Sequence, residues 1–213
     1  GAAVLADLEF ETLLAKDDEA KLSAYYQDAS HPDALRARAL RALFSHRKQT
    51  FTADERVRLI AALSDRGMLV RTAAVQVIGA SADSTLARQV LQMAENDPNP
   101  QVRVAAIRAA RPWTKLSHLY FLEGAMNSDV PEVRAEGVRS LGELRFREVP
   151  PAIVDRVLGF TRSDQAPAVR AAALETLLSW RRLDWETLRV TLLDPKAPET
   201  LRVRAMELTD EVP

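Results

Sequence analysis

Apolar residues recur along the chain at helical spacing, and one version of the pattern appears six times. Each copy has an aliphatic residue, an arginine directly after it and a small residue three positions beyond the arginine. The copies are Leu35-Arg36…Ala39, Val70-Arg71…Ala74, Val102-Arg103…Ala106, Val133-Arg134…Gly137, Val169-Arg170…Ala173 and Leu201-Arg202…Ala205. The aliphatic residue, the small residue four positions later and an apolar residue four beyond that share one helix face, as in Val70, Ala74 and Ile78 or Val169, Ala173 and Leu177. The small member lets helix backbones approach, and a leucine there would overpack the seam at roughly 1–3 kcal/mol. The arginines lie 35, 32, 31, 36 and 32 residues apart. A period of this length marks stacked supersecondary units rather than one closed globule.

Each unit reads as two helices, the second carrying the phrase. The first helices are expected near Asp17 to Asp28, Thr52 to Ser64, Ser84 to Glu95, Pro112 to Asn127, Pro150 to Thr161 and Asp184 to Leu193. Thr52-Ala53-Asp54-Glu55 has capping-box form. Pro112 and Pro150-Pro151 fit helix starts, where a missing N–H costs nothing. Apolar stripes follow, such as Val57, Ile60 and Ala61, or Ile153, Val157 and Phe160. Turns rich in Asp, Pro and Asn join the helices, as at Asn96 to Pro100, Ser128 to Pro131 and Ser163 to Pro167.

The repeats are expected at about 17–46, 52–80, 83–110, 112–144, 148–180 and 184–210, in one array over residues 1–213 with no internal boundary. Residues 1–16 hold an amphipathic segment with Val4, Leu5, Leu8 and Leu13, expected to cap the first repeat. Thr209 stands where earlier copies have Leu43, Ile78 or Leu141, and suits a terminal repeat with a wet outer face. The alternative is a piece cut from a longer array.

Composition narrows the chemistry. The hydrophobic fraction is 47% with only 6% aromatic, which suits closely packed helices better than a β-sandwich. A formal net charge of −1 and a pI near 6.4 make nucleic acid an unlikely partner, since phosphate binders carry a positive excess. The absence of cysteine excludes thiol nucleophiles, disulfides and thiolate zinc sites, but leaves the compartment open between cytoplasm and periplasm. No stretch approaches the 18 apolar residues of a membrane span. The first residue is Gly rather than Met, so the chain is expected to be processed or excised.

The phrase, the Asp-containing turn and the period together resemble the HEAT-repeat family, in particular the PBS-lyase-type HEAT-like repeats of bacterial proteins. The family pattern Asp, Pro, Val-Arg, Ala, Leu is matched by Asp97, Pro100, Val102-Arg103, Ala106 and Ala110. It is matched again by Asp129, Pro131, Val133-Arg134, Gly137 and Leu141, and by Asp164, Pro167, Val169-Arg170, Ala173 and Leu177. The resemblance covers the chain from about residue 17. It implies an all-α, right-handed solenoid of about six two-helix repeats behind an N-terminal capping helix. Such arrays serve as scaffolds, adaptors and a few enzymes, and a non-enzymatic scaffold or adaptor for a protein partner is the reading expected here; no cofactor and no metal are expected, because no motif for either occurs.

The arginine ladder is expected to be structural. Arg36, Arg71, Arg103, Arg134, Arg170 and Arg202 each sit in the first turn of a helix, where the dipole disfavours positive charge. Carboxylates in the turns, namely Asp65, Asp97, Asp129, Asp164 and Asp194, would offset this, and the resemblance implies that such pairs tie adjacent repeats. Partner specificity is then expected on exposed positions of the second helices, which line the concave face in solenoids. Five residues past each ladder arginine stand Arg41, Gln76, Arg108, Arg139, Glu175 and Glu207, with Arg38 and Arg111 extending the basic part. Arg41, Arg108 and Arg139 are the candidates for holding an acidic peptide or helix.

Other signals are weaker. His31, His46 and His118 show no ligand spacing, and no His-Glu dipeptide of the HEAT-like di-iron hydroxylases occurs. Trp180-Arg181-Arg182 with Asp184-Trp185 imitates the aromatic and carboxylate set of HEAT-like DNA glycosylases, but the charge balance opposes that reading. Trp113, Trp180 and Trp185 are expected to pack at junctions between repeats. A lyase-type or accessory role related to the phycobilin lyases is the alternative to a scaffold, although no residue set marks a pigment site. No phosphate loop or nucleophile elbow is present.

Overall fold

The computed structural model describes residues 10–16, 18–45, 50–81, 83–113, 119–144 and 149–212, with the backbone alone at 119 and 120. His46 and His118, and most of the expected N-terminal cap, lie outside the described residues. All regular structure among the described residues is helical: α1 (10–16), α2 (Glu19–Gln27), α3 (Asp33–Leu43), α4 (Ala53–Leu63), α5 (Met68–Ala80), α6 (Ala87–Asn96) and α7 (Pro100–Ala110), then α8 (Leu119–Met126), α9 (Pro131–Glu143), α10 (Pro151–Ser163), α11 (Pro167–Ser179), α12 (Trp185–Leu193) and α13 (Glu199–Glu207). Short 3-10 turns occur at Ser84–Leu86, Arg111–Trp113 and Leu208–Glu211.

Helix starts follow local chemistry. Thr52 and Glu55 form the expected capping box, the Thr52 N–H donating to Glu55 Oε2 at 2.8 Å and the Glu55 N–H to Thr52 Oγ1 at 3.3 Å. Asp18, Asn99 and Asp184 cap α2, α7 and α12 through their side-chain oxygens. Pro100, Pro131, Pro151 and Pro167 open α7, α9, α10 and α11, where a missing N–H leaves nothing unsatisfied.

The chain forms two compact units, Gly1–Trp113 and Thr114–Pro213. In the first, each first helix packs on its own second helix, and α3, α5 and α7 stack in sequence. The second unit repeats this with α9, α11 and α13. Each unit is thus packed as a helical solenoid, held by the phrase itself: Val70, Val102, Val169, Ala39, Ala74, Ala106, Ala173 and Ala205 are fully buried. Gly137 takes the small position in α9 because a Cβ there would stand 2.9 Å from the Ala125 Cβ of α8.

Three expectations on local structure are corrected. The stripe Val57, Ile60 and Ala61 faces outward, with Val57 and Ile60 67% and 41% exposed, and α4 buries Leu59, Ala62 and Leu63 instead. Both sets have helical spacing, and packing on α5 chose between them. Pro112 belongs to a 3-10 turn rather than a helix start, and helix resumes by Leu119. Trp185 opens α12 in solvent, 54% exposed, rather than packing at a junction.

Candidate partner-binding surface

Arg71 and Arg134 each hold two turns at once. Arg71 Nη1 donates to the backbone oxygens of Asp65 and Arg66 in its own turn, at 2.9 and 3.2 Å. Its Nε and Nη2 donate to the carboxylate of Asp97 in the next turn, at 2.7 and 3.0 Å. Arg134 repeats this geometry, with Nη1 on the Ser128 and Asp129 carbonyls at 2.8 and 3.1 Å and Nε and Nη2 on Asp164 at 2.9 and 3.0 Å. Arg36 grips Asp65 through both terminal nitrogens while its Nε donates to the Tyr26 carbonyl at 2.8 Å. Arg170 reaches Asp194 at 3.0 Å and the Thr161 carbonyl at 2.9 Å. Arg103 Nη1 donates to the Asp97 carbonyl at 3.1 Å. Arg202 is exposed.

The aspartates are also held by their own turns. Asp65, Asp97, Asp164 and Asp194 each accept the N–H two residues ahead through Oδ1, at 2.8–2.9 Å, which orients the carboxylate toward the arginine. In the α8–α9 turn this place belongs to Ser128, whose Oγ accepts the Val130 N–H at 3.2 Å. Asp129, one residue later and exposed, does not hold the position expected of it. Asp28 does, taking the Ser30 N–H at 2.9 Å.

Pairing polarises both partners. Hydrogen bonding to the carboxylates holds the guanidinium groups of Arg36, Arg71 and Arg134 above their ordinary range. Burial raises the carboxyls of Asp65 and Asp164, but the bonds from Arg36 and Arg134 outweigh it and leave both below the usual carboxylate range. These side chains are committed to the framework. Asp65, Arg71 and Asp97 also line a groove of about 540 Å³ between α4 and α6, with Ile60, Leu63, Gln89 and Met93.

The row five residues past the ladder differs between the units. In the first, Arg41 Nε donates to Gln76 Oε1 at 3.1 Å across α3 and α5, and Arg108 follows on α7. All three residues are exposed, and the row contains no carboxylate. In the second, Arg139 lies 3.7 Å from Glu175, and Arg204 bridges Glu175 and Glu207 at 2.8 and 2.9 Å. This half is a chain of alternating charges that satisfies itself. Arg204 is not among the expected residues, because it stands two positions past the ladder arginine rather than five. Arg38, expected to extend the row, is held by Glu11 at 2.8 Å. Arg111 caps the end of α7.

The remaining candidates do not assemble into a site. His31 stacks on Tyr25 at 3.8 Å and lies 3.7 Å from Asp28. Trp180 ends α11 and is followed by Arg181 in the left-handed region at φ 56°. Among the described residues no group of three His, Cys, Asp or Glu side chains is placed to hold a metal ion. No helix among them is long and apolar enough to cross a membrane.

Residues 87–178 match the family model of HEAT repeats. That span carries HEAT repeats. The matched span holds Asp97, Arg103, Arg134, Asp164 and Arg170 of the HEAT ladder. HEAT repeats commonly serve as protein-interaction scaffolds. No curated protein matches the chain.

Proposed function

We propose that the protein is a non-catalytic interaction module that holds an acidic segment of a protein partner along α3, α5 and α7. The row Arg41, Gln76 and Arg108 carries this reading. It sets two exposed guanidinium groups and an exposed amide on three stacked helices, Arg41 and Gln76 bonded to each other across α3 and α5. Arg139, grouped with them on sequence grounds, is left out because Glu175 lies beside it. The ladder supports the role by fixing the spacing between successive helices, so that a bound segment meets a preorganised surface. The partner recognised is a peptide or helix with carboxylates spaced to match consecutive repeats.

The test is fluorescence anisotropy of a labelled glutamate-rich peptide titrated with the chain and with an Arg41→Glu, Arg108→Glu double variant. Affinity should fall at least tenfold, about 1.4 kcal/mol, and weaken with added salt. Equal affinity in a variant with an unchanged circular dichroism spectrum would refute this assignment.

A further inference from the structure

The first unit holds an opening between two of its first helices, α4 and α6, with polar ties at both ends. At one end Asp83, just ahead of α6, accepts the Phe51 N–H at 2.9 Å and Arg56 Nε of α4 at 3.0 Å. At the other end Arg71 joins the turn after α4 to the turn after α6. Its Nη1 donates to the Asp65 carbonyl at 2.9 Å and its Nε to the Asp97 carboxylate at 2.7 Å. Asp83 and Asp97 are both buried. Between these ties Ile60 and Leu63 of α4 and Gln89 and Met93 of α6 line the groove of about 540 Å³.

The α4 wall is apolar where the neighbouring first helices are polar. Beyond its first turn α4 exposes only Val57, Ile60 and Ala61, at i, i+3 and i+4. α2 exposes Glu19, Lys21 and Gln27, and α6 exposes Arg88, Gln92, Glu95 and Asn96. Apolar residues gathered on one helix face mark a contact surface, unlike single exposed side chains scattered over a protein.

The charges that line the groove are already paired. Arg71 is held by Asp97, and Asp65 by Arg36. Arg58 of α4 turns the other way, its Nη1 donating to Ser23 Oγ of α2 at 3.4 Å. The α6 wall is instead rich in carboxamides, with Gln89, Gln92 and Asn96 at i, i+3 and i+7. Gln89 Oε1 is buried and meets no donor among the described residues. A buried carbonyl without a donor costs free energy, so the side chain gains by turning toward an N–H offered in the groove. The complementary occupant is therefore uncharged, apolar toward α4 and able to donate hydrogen bonds toward α6. An extended peptide has this chemistry, whereas the interior N–H groups of a helix are already bonded within it. The stripe from Val57 to Ser64 rises about 10 Å, the length of about three extended residues.

We infer that the groove between α4 and α6 binds an uncharged, extended apolar segment of a partner protein. Its aliphatic side chains lie against Ile60 and Leu63, and one of its backbone N–H groups donates to Gln89. A protein occupant accords with the scaffold role common to HEAT repeats. The groove is separate from the Arg41, Gln76 and Arg108 row, and neither depends on the other.

The probe is a panel of short peptides titrated with the full chain and followed by fluorescence anisotropy. Each has an acetylated serine, three residues drawn from Leu, Ile, Val and Phe, a second serine, and fluorescein on a flexible C-terminal linker. Saturable binding of at least one member is expected, and the Arg41→Glu, Arg108→Glu double variant should retain it. Ile60→Asp or Gln89→Leu in the chain, and N-methylation of the central residue of the peptide, should each weaken it at least tenfold. Absence of saturable binding, binding indifferent to any of these three changes, or binding lost in the double variant overturns the inference. Self-association in sedimentation velocity that Ile60→Asp abolishes would give the groove to another copy and equally overturn it.

Discussion

Arg134 and Asp164 meet in a two-point grip: Nε and Nη2 of the guanidinium lie 2.9 and 3.0 Å from the two carboxylate oxygens, joining the start of α9 to the turn before α11. The two side chains are 17% and 6% exposed, so the pair is shielded from most solvent screening. Removing the arginine leaves a nearly buried carboxylate with only the Ala166 N–H as donor. Arg134→Ala should therefore cost about 2 kcal/mol, a fall in Tm of roughly 4–8 °C. A thermal melt matching the parent chain would show that the pair contributes nothing net.

The charged row of the second unit should behave differently. Glu175 joins Arg139 and Arg204, but these side chains are 34–39% exposed. Exposed pairs contribute about 0–1 kcal/mol, so Glu175→Ala should lower Tm by no more than roughly 3 °C. Urea denaturation of Glu175→Ala beside Arg134→Ala checks the order, and a larger loss for Glu175→Ala would reverse the roles given to ladder and row.

Two glycines in contrasting surroundings should respond with opposite signs. A Cβ at Gly79 would lie 2.5 Å from the Ala109 Cβ and 2.8 Å from its Cα, so α5 and α7 would have to separate. Overpacking of this kind costs about 1–3 kcal/mol, more than the gain of about 1 kcal/mol in helix propensity. A Cβ at Gly159 on α10 would meet nothing within 4 Å, so only the propensity gain applies. Gly79→Ala should melt earlier and Gly159→Ala later than the parent chain, by calorimetry.

Acid should loosen the first unit through Asp83. This buried carboxylate accepts the Phe51 and Thr85 N–H groups at 2.9 Å each, Arg56 Nε at 3.0 Å and the Thr85 hydroxyl. Burial raises its pKa, but these bonds outweigh that and lower it to about 2, from 3.8 for a free side chain. A depressed folded-state pKa contributes stability that is complete above the unfolded value and lost as pH falls through the folded one. Stability should decline between about pH 4 and pH 2. Asp83→Asn should be less stable at pH 7 and show a shallower acid decline; an identical pH profile would remove Asp83 as a cause.

Much of this was legible in the chain of residues, and the reason is repetition. Six copies of one phrase place Val70, Ala74 and Ile78 and their equivalents in the core without reference to any coordinate, because a fixed period and a helical spacing leave one face to bury. A cation in a first helical turn called only for some nearby anion; that Arg71 would tie to Asp97 of the next repeat was implied by the resemblance to HEAT-like repeats.

What the sequence determined by itself was the helical hairpin, its period and the residues of its seam. The tertiary structure decided the rest. Val57 and Leu59 belong to equally good helical stripes, and only packing on α5 put Leu59 inside. Asp129 reads as a ladder residue, yet the turn gives its place to Ser128, a one-residue register that composition does not encode. Arg41 and Arg139 stand at equivalent positions in the sequence, but Arg41 meets an amide and Arg139 a carboxylate. Periodicity specifies which face a residue occupies; its electrostatic neighbours come from another repeat some 30 residues away in the chain, and only folding brings them together.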